Sequence, residues 1–167
     1  ATTLLQGELK NCLKKPVIVG NISAGSWGPA NYLAYINEYG FFDADVIVLI
    51  ISSHDYADNP TFAPLNPNTH PTEKPRLALS EAMMRYLPRY LPRQSLKTNN
   101  SSEKPEKPTT DAINQSLNAL RQFLAAAKKT GAPVYVLQHW TQQELIQKKA
   151  GEGNVMISSV CAEMGIP

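Results

Sequence analysis

Cysteine is scarce in this chain. Two residues, Cys12 and Cys161, stand far apart among 167, which excludes the stapled framework of a small disulfide-rich domain. Both fall in helical apolar patterns and read as buried free thiols. Histidine is sparse too: His54, His70 and His139 lie far from one another, and no Cys/His spacing has the form of a metal site. Charge is low and mixed. The net charge is +2 and charged residues make up 18% of the chain, whereas a nucleic-acid footprint needs a clustered basic excess. No apolar run reaches membrane-spanning length; the longest, residues 46–51, suits one strand. Neither a secretory leader pattern nor an internal repeat is found.

What is present is a globular composition, 43% hydrophobic, in a chain long enough for one domain with a core. Leu5, Leu9, Cys12 and Leu13 recur at helical spacing, which predicts an amphipathic helix over 3–14. Residues 17–22 and 44–52 are β-branched and continuous, as in strands buried on both faces. Between them Pro29 sits where a first helical turn tolerates it, and Tyr32, Leu33, Tyr35, Ile36 and Tyr39 continue a helix to Gly40. From Asp111 a helix carries Ile113, Leu117, Leu120 and Leu124 on one face, with Lys128, Lys129 and Gly131 at its end. "APVYVLQHW" predicts a third strand at 133–138, followed by helices near 142–149 and 154–163. Prolines at 60, 64, 67, 71 and 75, a short helix at 77–86 and a polar stretch at 94–110 mark residues of about 56–110 as an insertion.

Alternating helices and strands predict an α/β domain, three-layered, with a parallel, flavodoxin-like sheet. Residues 1–167 then form a single partial domain whose ends read as cuts through a larger one. Ligands of such sheets bind at the carboxyl ends of strands. Three polar clusters follow strands directly: residues 21–26, Ser52-Ser53-His54-Asp55, and Gln138-His139-Trp140. One reading of "NISAGSWGPAN" makes Ser26 a nucleophile on a small-x-Ser-x-Gly elbow, with Asp55 and His139 completing a triad. The plainer reading makes Gly25 and Gly28 turn residues, Trp27 a packing residue, Asp55 a loop-fixing carboxylate and His139 structural. His70, in the insertion, reads as a surface residue.

Together, "NISAGSWGPAN" and "ADVIVLIISSHDYADNP" resemble the second and third conserved blocks of the SGNH/GDSL hydrolases. The resemblance implies that a backbone N–H at Gly25 or Ser26 and the side chain of His54 line an oxyanion hole, with Asp55 supporting the loop. His54 stands where the family has asparagine and Ser52 where it has glycine; an imidazole N–H keeps a donor there and adds a group that titrates near neutrality. The family's G-D-S serine and D-x-x-H histidine blocks are not found in this chain. The implied function is part of a serine esterase acting on O-acyl esters, including O-acetyl carbohydrate, in the periplasm or outside the cell. Its partner is a small-molecule or carbohydrate ester, and no cofactor or metal is implied. The alternative is a non-catalytic carbohydrate-binding or scaffolding α/β domain.

Overall fold

The computed structural model describes residues 2–60, 77–83 and 107–167. The chain divides into two compact units, residues 1–60 with 108–167, and residues 61–107. In the second unit, α3 (Ala78–Glu81) forms one helical turn within the stretch expected to be helical over 77–86; residues 84–86 of that stretch lie outside the described residues. So do His70 and most of the polar stretch at 94–110.

The first unit is α/β. Its helices are α1 (Thr2–Leu13), α2 (Pro29–Tyr39), α4 (Thr110–Lys129), α5 (Gln142–Gln147) and α6 (Glu152–Glu163). Its strands are β1 (Ile47–Ser52) and β2 (Val134–His139). The strands pair in parallel, from Ile47 opposite Val134 to Ser52 opposite His139, so their carboxyl ends lie side by side as expected.

Local chemistry explains α4. The Thr109 side chain accepts from the Ala112 N–H at 3.2 Å, Asp111 lies in the first turn, and Lys128 and Lys129 lie in the last. These groups satisfy an orphan donor and oppose the helix dipole at both ends. Ser116, Ala119, Leu120, Phe123, Leu124 and Ala127 form its buried stripe, at the spacing a single helix face requires. That stripe meets Ile47, Leu49 and Ile51 of β1, Val134 of β2, and Ile157, Val160 and Cys161 of α6.

Among the described residues only one face of the sheet is covered, where the continuous apolar run at 44–52 led to the expectation of burial on both. Val48, Ile50, Tyr135 and Leu137 on the other face are 46% to 65% exposed. At its other edge, β2 is joined by the chain's last residues, where the Val136 N–H donates to the Pro167 carbonyl at 3.2 Å.

Two further expectations are corrected. Residues 17–22 are not a strand; Ile18 is 92% exposed. A β-branched run favours extended backbone, but strand formation also needs a neighbour to take up its N–H and C=O groups, and among the described residues none pairs with it. Cys12 is exposed rather than buried, because α1 buries none of its residues. Cys161 is buried, and burial pushes its thiol pKa up.

Candidate functional site at the carboxyl ends of the strands

After Ser52 the chain turns at once into a 3-10 helix, Ser53–Ala57. Asp55 sets this turn. Its buried carboxylate accepts from the Ser52 backbone N–H at 2.8 Å and the Ser52 hydroxyl at 3.2 Å. This is the loop-fixing role that the plainer sequence reading gave it.

The turn is then gripped from three sides. Fully buried Ser116 of α4 donates to the Asp55 carbonyl at 2.9 Å. The Asn59 amide donates to the Ala112 carbonyl at 2.8 Å. From the α2 side, Gly28 lies so close that a Cβ there would stand 2.5 Å from the Asp58 carbonyl oxygen. From the α6 side, a Cβ on Gly153 would collide with the Ser53 carbonyl. Burial, with Asp55 next in size, raises the Asp58 pKa, while His54 opposes the rise. Tyr32, which donates to the Trp27 carbonyl at 2.8 Å, has its pKa raised by burial first and then by Asp55 and Asp58.

The second half of the site is organised by Glu144, which the sequence reading missed. Its carboxylate accepts from the Thr141 N–H at 2.7 Å, the Thr141 hydroxyl at 2.8 Å, the Gly151 N–H at 2.6 Å, the Asn154 amide at 2.8 Å and the Ser53 hydroxyl at 3.3 Å. The local signal was legible: Thr141-x-x-Glu144 is a capping box at the start of α5. Its ties to Gly151, Asn154 and Ser53 were not, since they arise only on folding. Glu144 thereby joins the loop after β1, the start of α5 and the start of α6, around a cleft of about 510 Å³ whose wall includes His54, Tyr56 and Lys149.

These hydrogen bonds, led by the Thr141 N–H, hold the Glu144 pKa at about 2 against the opposing effect of burial. A depressed carboxyl pKa stabilises the fold fully above the ordinary value of 4.5, and that contribution is lost as pH falls through about 2. Urea midpoints of the natural chain should therefore drop across this window. Glu144→Gln should be less stable at neutral pH and should lose the part of the acid slope due to this carboxyl. An unchanged slope would show that Glu144 does not titrate with folding.

The candidate catalytic residues are only partly brought together. His54 and Asp55 are neighbours, with His54 Nε2 3.3 Å from Asp55 Oδ1 and the His54 side chain 74% exposed. Ser52 Oγ lies 3.0 Å from His54 Nδ1 and 3.2 Å from Nε2. Ser52 Oγ, which also donates to Asp55 Oδ2 at 3.2 Å, is thus within hydrogen-bonding distance of either ring nitrogen. Gly25 and Ser26 are exposed on the loop before α2, with Ser26 in the left-handed region at φ 62°. Neither is hydrogen-bonded to His54; the ring's partners are Ser52 and Asp55.

No hydrogen bond links Ser26, Asp55 and His139. His139 is exposed, and it alternates along β2 with Tyr135 and Leu137 on the uncovered face. Trp27 packs edge-on to Tyr32 with ring centroids 6.2 Å apart. Among the described residues no cluster of three or more His, Cys, Asp or Glu is placed to hold a metal ion. No helix among them is long and apolar enough to cross a membrane. The chain matches no family model, and neither a curated protein nor a solved structure matches it.

Proposed function

We propose that the chain is the oxyanion-side part of an SGNH-like acyl hydrolase acting on O-acyl esters. The observation that carries this reading is the abutment of Gly28 on Asp58. It ties the loop bearing Gly25 and Ser26 to the loop bearing His54, at the carboxyl ends of parallel strands where α/β folds bind ligands.

In this reading a serine hydroxyl attacks the ester carbonyl and passes its proton to a histidine. The tetrahedral oxyanion is held by a backbone N–H at Gly25 or Ser26 and by the exposed His54 ring. Collapse expels the alcohol, which regains the proton, and water then releases the acid. The serine and the histidine base are assigned to sequence outside residues 1–167. The matching fold is three-layered and flavodoxin-like, with further strands extending the sheet and helices over Val48, Ile50, Tyr135 and Leu137. The exposure of that apolar face supports this architecture, because parallel sheets are covered on both sides.

The test is hydrolysis of p-nitrophenyl acetate. Residues 1–167 alone should show no serine-dependent turnover, and Ser26→Ala should change nothing. Joined to its flanking sequence, the chain should turn over the ester and lose that activity when the G-D-S serine is replaced. Turnover by residues 1–167 that Ser26→Ala abolishes would move the nucleophile to the elbow instead.

A further inference from the structure

The aromatic residues around α2 form two rows. The inner row is anchored to the core: Tyr32 and Phe41 pack edge-on to Phe123, with centroids 6.2 Å and 5.7 Å apart. The outer row centres on Tyr35. Trp27 lies 5.6 Å from it, Tyr39 4.7 Å and Phe42 6.5 Å, with tilts of 41° to 49°. Tyr39 is 60% exposed and Phe42 64%. Trp27 and Tyr35 are half-buried and support the two exposed rings, and exposed aromatic rings held in place by their neighbours mark an interaction surface.

The chemistry around the row selects its ligand. Between Lys15 and Lys74 the sequence contains no lysine or arginine, while Glu38, Asp43 and Asp45, next to or near Tyr39 and Phe42 in sequence, are exposed. A phosphate polymer or an anionic lipid surface would be repelled. Tyr35 is in contact with each of its three partners, with centroids 4.7 to 6.5 Å apart, which leaves no gap for an ammonium group within those pairs. A ligand of these rings must reach the exposed Tyr39 and Phe42 from solvent, present apolar C–H groups to them, and carry hydroxyls for tyrosine and carboxylate oxygens. A neutral sugar chain has both properties.

We propose that Trp27, Tyr35, Tyr39 and Phe42 form a binding strip for a neutral polysaccharide. Trp27 directly follows Ser26, so the strip runs from the edge of the candidate site along α2. The strip goes beyond the function proposed above and does not depend on the ester chemistry.

Isothermal titration calorimetry with β-1,4-linked hexasaccharides of glucose, xylose, mannose and N-acetylglucosamine, none carrying an ester, tests the strip alone. At least one should bind, with affinity insensitive to salt. Tyr39→Ala and Phe42→Ala, both exposed and so expected to fold, should each weaken binding about tenfold, the upper range for loss of an aromatic contact. Failure of all four sugars to bind, or binding unchanged in both variants, would overturn the proposal. Concentration-dependent dimerisation that Tyr39→Ala abolishes would also overturn it, by assigning the strip to a second copy of the chain. None of these outcomes involves ester hydrolysis, so the esterase reading stands or falls separately.

Discussion

Gly153→Ala is expected to destabilise the fold by about 3 kcal/mol or more, the upper range for forced overpacking. The added methyl would overlap the Ser53 carbonyl oxygen, and it would also stand 2.8 Å from the Ser53 carbonyl carbon and 2.8 Å from Tyr56 Cδ1. Relief by rotation is unavailable, because most of the obstruction is backbone. Ser53 cannot retreat easily. It follows β1 directly, and the next residues are held by Ser116 through the Asp55 carbonyl. Gly153 cannot retreat either, since it sits between the Glu144-bound Gly151 N–H and the Glu144-bound Asn154 amide. Urea unfolding with near-UV circular dichroism checks this. A variant within about 0.5 kcal/mol of the natural chain, the ordinary range for surface substitutions, would show that α6 and the turn after β1 are not in contact in solution. Gly7→Ala is the matched control: nothing lies within 4 Å of a Cβ there, and alanine favours the helix.

The second large effect is kinetic. On the esterase reading proposed above, His54→Ala in the chain joined to its flanking sequence should lower kcat about 100- to 1,000-fold with little change in KM, the pattern for a donor that strengthens toward the transition state. The substitution is structurally mild because the side chain is 74% exposed, and Asp55 keeps its bond to the Ser52 N–H without the imidazole. His54→Asn should recover part of the loss by restoring an N–H donor. A kcat within a factor of about two after His54→Ala, some 0.4 kcal/mol, would make the residue structural and remove the catalytic content of the third-block resemblance. The Ser52 hydroxyl beside the ring makes Ser52→Gly informative as well. It removes a partner of the imidazole and installs the glycine that the family carries at that position.

The sequence made legible what depends on local pattern. The run at 44–52 and the "APVYVL" segment became β1 and β2, and the 3.6-residue period of α4 survived as its buried stripe. The run at 17–22 has the same β-branched character and formed no strand, because composition specifies extended backbone but not the neighbour that must pair with it. The period of α1 correctly gave a helix and wrongly gave a buried Cys12. Amphipathicity states which face would be buried and says nothing about whether a partner is present. In the candidate site, Asp55 was readable because its bonds run to residues close in sequence. Glu144 and Ser116 act across 91 and 61 residues respectively, toward Ser53 and the Asp55 carbonyl. Gly153 lay just outside the helix expected at 154–163, and nothing local signalled the Ser53 carbonyl that lies against its Cα.

Val48, Ile50, Tyr135 and Leu137, turned to water on a sheet of two strands, make concentration a variable of this molecule's behaviour. β1 offers an edge that no described strand covers, beside an apolar face lacking the charged side chains with which natural sheets discourage their own kind. Edge pairing would extend the ladder and face-to-face packing would hide the apolar side chains, each a route to association between molecules. The chain is therefore best handled dilute, and light scattering should rise with protein concentration before any loss of helical signal.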